Sequence, residues 1–581
     1  MSDNSRFDVA IVGGGPSGST VGGLLKVHSP DLKVVIVEKE IFPREHVGES
    51  QLPPINAVLQ ELGAWDEVEA AGFPIKIGAS YTWGAEKNWD FDLYPLERFV
   101  DEPRPGKLDG QRRFTTFQVE RSIYDKILLD RAARLGCDVR QGARVAEIER
   151  SGDRIDGFRL ADGSRIEADD YIDASGAVGL VRRAMGVETD APKALRNIAI
   201  WDYWDNVKWA VEIGVGATRV QVRSIGFGWL WFIPLGPSRA SVGLVCPSEY
   251  YQKRQVRPQD LYHEAIAAQP QIAELTRDGT ASGEVRTTKD WSHLADRLVG
   301  ENWWLVGESA GFADPILGAG MTLAHTSARD VACTLLELRR GMLDSRWLRE
   351  SYNTRTRQSI RQHIQFAQYW YAANGRFTDL QEHCASIAEE AGLSLNPQQA
   401  WAWLAQGGFT NSNALLPFFG SYDLSAARRV MEIFAGQSQK YTFHNYNLLK
   451  PDTAGATPDS VPHYDRGRVI RIEGVRRGPY FLPTGGVHGM LMQMVARRGD
   501  INQFFDEIER YVQTQPAEHR SYIRNKLIQT LETLVLEGWI KGSVNPARPM
   551  LKWSYQPSQQ IRWAEESEAA LKRRDEAAKS N

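Results

Sequence analysis

Residues 13–18, Gly-Gly-Gly-Pro-Ser-Gly, constrain the fold of this chain more than any other stretch. They follow an apolar, β-branched run, Phe7-Asp8-Val9-Ala10-Ile11-Val12. After them come a segment one helix long and a second apolar run, Lys33-Val34-Val35-Ile36-Val37, closed by Glu38 and Lys39. The pattern predicts a strand–turn–helix–strand unit. Gly13 permits the tight turn, Gly15 lets backbone approach a pyrophosphate, and Gly18 lets helix and strand pack closely. Pro16 and Ser17 lie in the same phosphate-facing turn at a helix N-terminus. Glu38, twenty residues after Gly18, is placed to accept hydrogen bonds from a ribose diol. The unit reads as a dinucleotide site, and the glycines alone do not say which dinucleotide.

A chain of 581 residues exceeds one core and implies several domains. A formal net charge of −4 provides no field for nucleic acid or an anionic membrane. Cys137, Cys246, Cys333 and Cys384 are scattered, which argues against a disulfide framework or a zinc site. The expected class is cytoplasmic and soluble: the polar first residues lead straight into a strand, with no signal peptide, and no apolar run reaches membrane-spanning length. Eighteen tryptophans are many, and indoles are large and rigid, so some are expected to line a cavity.

Further along, Phe42-Pro43-Arg44 and Gly48-Glu49-Ser50 form a loop suited to meeting a planar ligand, followed by a helix around 55–62. Residues 119–135 have helical period, with Ile123, Ile127, Leu128 and Ala132 expected on the buried face. Strands are predicted at 138–140, at 145–148 beginning with Val145, and at 171–174. Others are expected near 197–205, 218–225, 229–234 and 240–246, and at 303–306. Asp314-Pro315 and Gly318-Ala319-Gly320 open a helix from Met321, a positive helix end facing an anionic partner. Helices are expected at 397–438, carrying Trp401, Trp403, Leu404, Leu415, Phe418 and Phe419, and again at 501–510 and 522–537. Residues 450–460 read as a linker, 538–542 as a hairpin edge, and the tail from 564 as frayed. This end has the look of a winged-helix module near 485–545, whose glutamates make it a packing or docking unit rather than a DNA reader.

Two features point to chemistry. In Gly228-Trp229-Leu230-Trp231-Phe232-Ile233-Pro234 the two indoles fall on one face of a strand and are expected to stack as a wall. In Phe73-Pro74-Ile75-Lys76-Ile77-Gly78 an apolar frame desolvates an amine and lowers its pKa. The bland alternatives are a pair of core tryptophans and a snorkelling lysine.

These residues resemble the flavin-dependent halogenases. Trp229 to Pro234 match that family's W-x-W-x-I-P pattern, and Phe42-Pro43-Arg44, Gly48-Glu49-Ser50, Gln118 with Arg121, and Phe312-Ala313-Asp314-Pro315 look like it too. The match covers about residues 7–370. It looks closest to the branch acting on phenolic, pyrrole or acyl substrates held on carrier proteins, including chloramphenicol-type enzymes with a C-terminal extension.

The resemblance implies an α/β fold with a Rossmann-type FAD-binding domain of the PHBH/GR2 flavoprotein kind. It divides into residues 1–190, an inserted β-rich substrate domain at 191–295, a return of the FAD domain at 296–370, a helical C-terminal region at 371–563, and a flexible tail at 564–581. It implies FADH2, O2 and chloride or bromide as reactants, with hypohalous acid passed by Lys76 to an electron-rich substrate and Trp229 and Trp231 shielding that substrate from the flavin. The implied FAD contacts are Gly13, Gly15, Pro16, Ser17, Gly18, Glu38, Lys39, Arg44, Gly48, Glu49, Ser50, Arg121, Val145, Glu308, Asp314, Gly320 and Met321. Asp290, in an Asp-Trp-Ser context, is implied as a covalent flavin ester in this branch. No second nucleotide fingerprint is present, so a separate NAD(P)H-dependent flavin reductase is implied. Three departures stand out: Glu308 replaces the usual aspartate, Gly318 a common serine, and the free-tryptophan branch's extra glutamate has no counterpart. They keep a flavin monooxygenase on the same scaffold as the main alternative.

Overall fold

The computed structural model describes residues 6–84, 87–214, 216–376, 378–380, 429–430, 432–434, 440–517, 520–553 and 560–580. The helices expected at 397–428, with Trp401, Trp403, Leu404, Leu415, Phe418 and Phe419, lie outside the described residues. The chain divides into two compact units, one of residues 1–392, 464–469 and 562–581, the other of 393–463 and 470–561.

The first unit holds two large sheets. In one, β1 (Arg6–Val12) pairs in parallel with β2 (Val34–Glu38) and with β9 (Arg165–Asp173), and β2 pairs with β6 (Asp138–Gln141). The strand Trp303–Leu305 adds in parallel to β9, while β8 (Arg154–Leu160) and β7 (Val145–Ser151) extend the sheet antiparallel. β1 and β2 are buried on both faces, which is why they read as continuous apolar runs. α1 (Pro16–His28) crosses from β1 to β2, giving the expected unit, and it packs against α4 (Arg121–Arg134) and α9 (Gly320–Arg340).

The buried face of α4 differs from expectation. It consists of Arg121, Tyr124, Asp125, Leu128, Leu129 and Ala132, while Ile123 is 44% exposed. Arg121 and Asp125 neutralise one another inside the protein, so the helix is turned by an ion pair that hydrophobic periodicity does not register.

The second sheet brings together β3 (Ile75–Thr82), β4 (Trp89–Asp92) and β5 (Thr116–Phe117) with β11 (Asn197–Asp205), β12 (Ala217–Ile225), β13 (Gly228–Pro234) and β14 (Ala240–Pro247). The β-rich sheet therefore draws strands from residues 75–117 as well as from the predicted 191–295. β10 (Thr189–Asp190) belongs to a separate small sheet with strands at His293–Ala295 and Gly311–Phe312.

The pairing of β3 with β12 contains a bulge. Lys76 faces Thr218 and Gly78 faces Arg219, so β3 takes two steps where β12 takes one. Side chains alternate across a strand. Lys76 therefore shares a face with Tyr81, and through Val222 and Ser224 with Trp231 and Trp229. The opposite face is apolar under α7 (Pro258–Ala268) and α8 (Pro270–Thr276), which cover Ile200, Leu230, Phe232, Val242 and Leu244. Beside β3 and β4 that same face is charged. Arg219 bonds Asp92 through Nε (2.9 Å) and Nη2 (2.6 Å) and Asp90 through Nη1 (2.9 Å), all three buried.

The tail is not frayed. Ala564–Ser580 is a helix whose Ala570 packs with Ile75, Ile77 and Phe99. Arg574 bonds the Phe99 carbonyl at 2.9 Å and Asp101 at 2.7 Å. Its one large aliphatic, Leu571, packs against the same cluster, and the surface it covers supplies the rest.

The second unit is mixed rather than helical. The segment read as a linker forms strands Leu448–Pro451 and Thr457–Asp465, the latter in a three-stranded sheet with Arg468–Arg477 and Tyr480–Pro483. Helices follow at Gly486–Arg497, Ile501–Gln513 and Arg520–Leu536. The expected hairpin at 538–542 is instead a strand, Ile540–Ser543, pairing antiparallel with Leu448–Pro451. No second wing strand follows it among the described residues. No described helix is long and apolar enough to cross a membrane.

Candidate active site

The glycine loop has the geometry its spacing implied. Gly13 has φ +105°, and a Cβ there would lie 2.2 Å from the Ala174 carbonyl oxygen. A Cβ on Gly18 would lie 1.9 Å from the Gly13 oxygen. Gly15, by contrast, faces open space bounded by Arg44 Nη2 at 3.4 Å, a cradle with a cation over it. Pro16 opens α1 and Ser17 is buried beside Gly307. Glu38 is held by two main-chain donors, Gly14 N–H at 2.7 Å and Glu40 N–H at 2.8 Å. Val145 is buried where β7 begins, two residues after Ala143 N–H bonds the Glu38 carbonyl. Lys39 is 61% exposed and pairs with Glu40, away from the loop.

The second loop is built on Arg121. Its Nε and Nη2 bond Asp125 at 2.7 and 2.9 Å, and Nη1 reaches the Val47 and Gly48 carbonyls at 2.8 and 3.2 Å. Arg121 thus holds the loop, while Arg44 reaches Asp125 at 3.4 Å. The guanidinium of Arg121, 3.2 Å from Nδ1, pushes the His46 imidazole below its ordinary range. Glu49 accepts from Gly48 N–H and from the Tyr203 hydroxyl, both at 3.0 Å, and burial raises its pKa. Ser50 bridges to Gln118.

On the sheet face above this loop, Lys76 is 6% exposed and donates to the Gln51 carbonyl at 2.9 Å. Burial alone lowers its pKa to about 7. Trp229 and Trp231 share the face, but they do not stack: their ring centroids are 6.0 Å apart and their planes meet at 55°. Each indole is fixed separately. Trp231 bonds Ser241 at 3.1 Å and overlies Gly243, where a Cβ would come within 2.1 Å of the ring. Trp229 bonds the Tyr371 hydroxyl at 2.8 Å and meets Trp83 edge-on at 6.3 Å.

The late turn closes the site. Asp314 is buried, accepting from Ile316 N–H (2.9 Å), Tyr371 (3.1 Å) and Trp291 Nε1 (3.3 Å), and burial pushes it up to about 6. Glu308 lies near Gly176, its pKa raised by burial and tempered by Arg121. Gly318 has φ +62°, a left-handed conformation that glycine adopts without strain, in place of the serine of the resemblance. Gly320 and Met321 begin α9, with the Gly320 α-carbon against the Phe312 ring. Asp290 is exposed, with φ +50°, and accepts from Ser248 Oγ at 3.1 Å.

Several buried polar atoms here have no partner among the described residues: Arg44 Nη1, Ser50 Oγ, both amide atoms of Gln118, Trp201 Nε1 and Thr322 Oγ1. Each costs roughly 1–3 kcal/mol if left unsatisfied. A cation over an open glycine turn and a set of unpartnered donors and acceptors beside the loop of residues 42–50 fit a pyrophosphate joined to a polar ring system, which is the chemistry of FAD.

A model of the tryptophan halogenase family matches residues 8–94 and 97–394. The chain belongs to the tryptophan halogenase family. Among relatives of this chain, a tryptophan 2-halogenase of Chondromyces crocatus is 34% identical over 356 residues, covering 60% of this chain and 64% of its own length, so the chain spans less than two thirds of that relative. A 1H-pyrrole-2-carbonyl-[peptidyl-carrier protein] chlorinase of Pseudomonas fluorescens is 32% identical over 396 residues, covering 65% of the chain and 86% of its own length. In structure the chain resembles the myxobacterial chondrochloren halogenase CndH, with a TM-score of 0.60 and 26% identity over 75% of this chain and 98% of that one. It shares its fold with the flavin-dependent halogenase CmlS, with a TM-score of 0.69 and 23% identity over 96% of this chain and 99% of that one.

The site also contains residues that the motifs missed. Tyr203, Gln51, Trp201 and Trp83 carry no local signal, because register and loop packing bring them in. Tyr371 had one: the aromatic run Tyr369-Trp370-Tyr371 closes α10 (Ser345–Ala372), an unusual way to end a helix.

Proposed function

We propose that the chain is a flavin-dependent halogenase that oxidises chloride or bromide and delivers the resulting hypohalous acid to an electron-rich substrate. The observation that carries this reading is Lys76, a buried amine of lowered pKa on the same sheet face as Trp229 and Trp231. Gly13–Gly18 and Arg44 would hold the pyrophosphate of FAD, with the loop of Gly48, Glu49 and Ser50 and the turn of Glu308 to Met321 around its ring system. Bound there in reduced form, FAD would supply the electrons that let O2 oxidise the halide. Lys76 holds and orients the oxidant through its N–H groups, and near neutral pH a fraction of its amine is also free to carry halogen. Trp229 and Trp231 keep substrate away from the flavin side.

The relatives acting on a pyrrole tethered to a carrier protein support a carrier-bound aromatic substrate here, and the single nucleotide fingerprint at residues 13–18 supports electrons arriving from a separate flavin reductase. A covalent flavin tie through Asp290 is supported only by its adjacency to Trp291, which reaches Asp314. Flavin fluorescence that leaves the polypeptide on a denaturing gel refutes that tie.

The test combines purified protein with FAD, a flavin reductase, NADH, bromide or chloride, and a panel of phenols, indoles and a carrier-bound pyrrole, with products read by mass spectrometry. Halogenated product that disappears in Lys76→Ala, while reduced flavin is still oxidised, supports the reading. Oxygenated product without halogen, unchanged in Lys76→Ala, overturns it.

A further inference from the structure

Tyr371 joins two parts of the site that no sequence motif connects. Its hydroxyl accepts from Trp229 Nε1 at 2.8 Å and donates to Asp314 Oδ1 at 3.1 Å. One partner is an indole of the wall, and the other is the buried carboxylate of the turn that opens α9. On that carboxylate, Ile316 N–H and Trp291 Nε1 also donate, and the Asn197 side chain faces it. The ring of Tyr371 is braced edge-on against Trp83, centroids 5.8 Å apart, and Trp83 meets Trp229. Burial holds the phenol protonated far above neutral pH, so it always has one proton to give and a lone pair to receive.

The direction of the bonds matters. An indole can only donate, so the orientation of Trp229 in its buried place is set by the group that accepts from it. Tyr371 can accept there while spending its own proton on Asp314, and Asp314, as an acceptor, fixes where that proton points. A phenylalanine would fill the same space but leave the indole donor and one carboxylate oxygen without this partner.

We infer that Tyr371 is a positioning residue that locks the plane of Trp229 to the Asp314 turn, so that the wall separating substrate from flavin is set by the turn at the head of α9. The importance of that wall rests on the halogenase reading; the lock itself does not. Tyr371 reaches the wall from α10, more than one hundred residues beyond Trp229, so the lock also ties the β-rich sheet to the helical return of the chain.

The experiment uses the FAD-loaded full chain. The Trp229 indole N–H is assigned in an indole ¹⁵N spectrum by its loss in Trp229→Phe, and its solvent exchange is then compared between the natural chain and Tyr371→Phe. Exchange at least tenfold faster, with FAD affinity unchanged, is expected. Exchange within twofold of the natural chain overturns the inference whether or not the chain halogenates. In turnover, Tyr371→Phe is expected to oxidise reduced flavin at the natural rate while the ratio of hydrogen peroxide to halogenated product rises about fivefold. Trp229→Phe is expected to do the same, and the double variant to be no worse than either single one, since both cut one connection. Fully additive losses overturn the lock. If Tyr371→Phe does not fold, Asp314→Ala is read in the same exchange measurement: it removes the acceptor that orients the Tyr371 proton, faster Trp229 exchange is expected, and exchange within twofold of the natural chain overturns the lock. A natural chain that makes no halogenated product defeats the halogenase reading and leaves the exchange result to decide the lock.

Discussion

The Lys76 amine donates to the Gln51 carbonyl at 2.9 Å, tying the bulged end of β3 to the loop that carries Gly48, Glu49 and Ser50. A protonated amine would ordinarily want more than one partner. Burial instead lowers its pKa from 10.5 to about 7, which makes the group available in both forms near neutrality.

That placement has a cost in stability. The unfolded lysine stays charged up to about pH 10, whereas the folded one gives up its proton near 7, so the penalty is full below pH 7 and fades as pH rises to 10.5. Lys76→Met is expected to stabilise the chain at pH 6–7, by on the order of 4 kcal/mol less the lost Gln51 bond. Urea melts from pH 6 to 10 test this. The gain should shrink steadily with pH, and a gain independent of pH contradicts it.

Asp314 behaves in the opposite direction. Its folded pKa of about 6 lies above the ordinary 3.8, so the folded chain holds a proton that the unfolded chain has released, and stability from this group falls as pH rises from about 4 to 6. Asp314→Asn is expected to gain up to about 3 kcal/mol on the natural chain across that window, and nothing further above it. Thermal melts at pH 4, 5, 6 and 7 give the slope.

Alanine at two glycines of one loop should have different consequences. Gly18→Ala places a Cβ 1.9 Å from a main-chain oxygen and is expected to prevent folding of the first unit. Gly15→Ala meets only Arg44 at 3.4 Å, so the fold should persist while FAD affinity drops at least tenfold. Circular dichroism beside flavin fluorescence titration separates the two.

Arg219 neutralises Asp90 and Asp92 inside the protein. Arg219→Met leaves two buried carboxylates facing each other and is expected to cost roughly 3–5 kcal/mol. Adding Asp90→Asn and Asp92→Asn should recover most of that loss in the same melts.

Much of this was legible in the residues, for reasons that are local. β1, the glycine turn, α1 and β2 follow from consecutive residues, and so do the strands at 197–205 and 229–234. What escaped the sequence depends on polar partners. The tilt between Trp229 and Trp231 is set by Ser241, Gly243 and Tyr371. The face of α4 is set by the Arg121–Asp125 pair, and the order of the tail helix by Phe99 and Asp101. Trp229–Tyr371 and the Arg574 bonds span long sequence separations, whereas the α4 pair is local, four residues apart; in each case a polar bond overrode a pattern of apolar residues.

The bulge between Lys76 and Gly78 assigns opposite signs of chemistry to the two sides of one sheet. Paired without that bulge, Ile77 would oppose Thr218, Lys76 would turn toward Arg219, Asp90 and Asp92, its charge would be neutralised by carboxylates, and the wall of indoles would face no amine. A one-residue slip of the strand before Gly78 is thus a change of sidedness: it leaves every named group in the chain and removes the compartment they share.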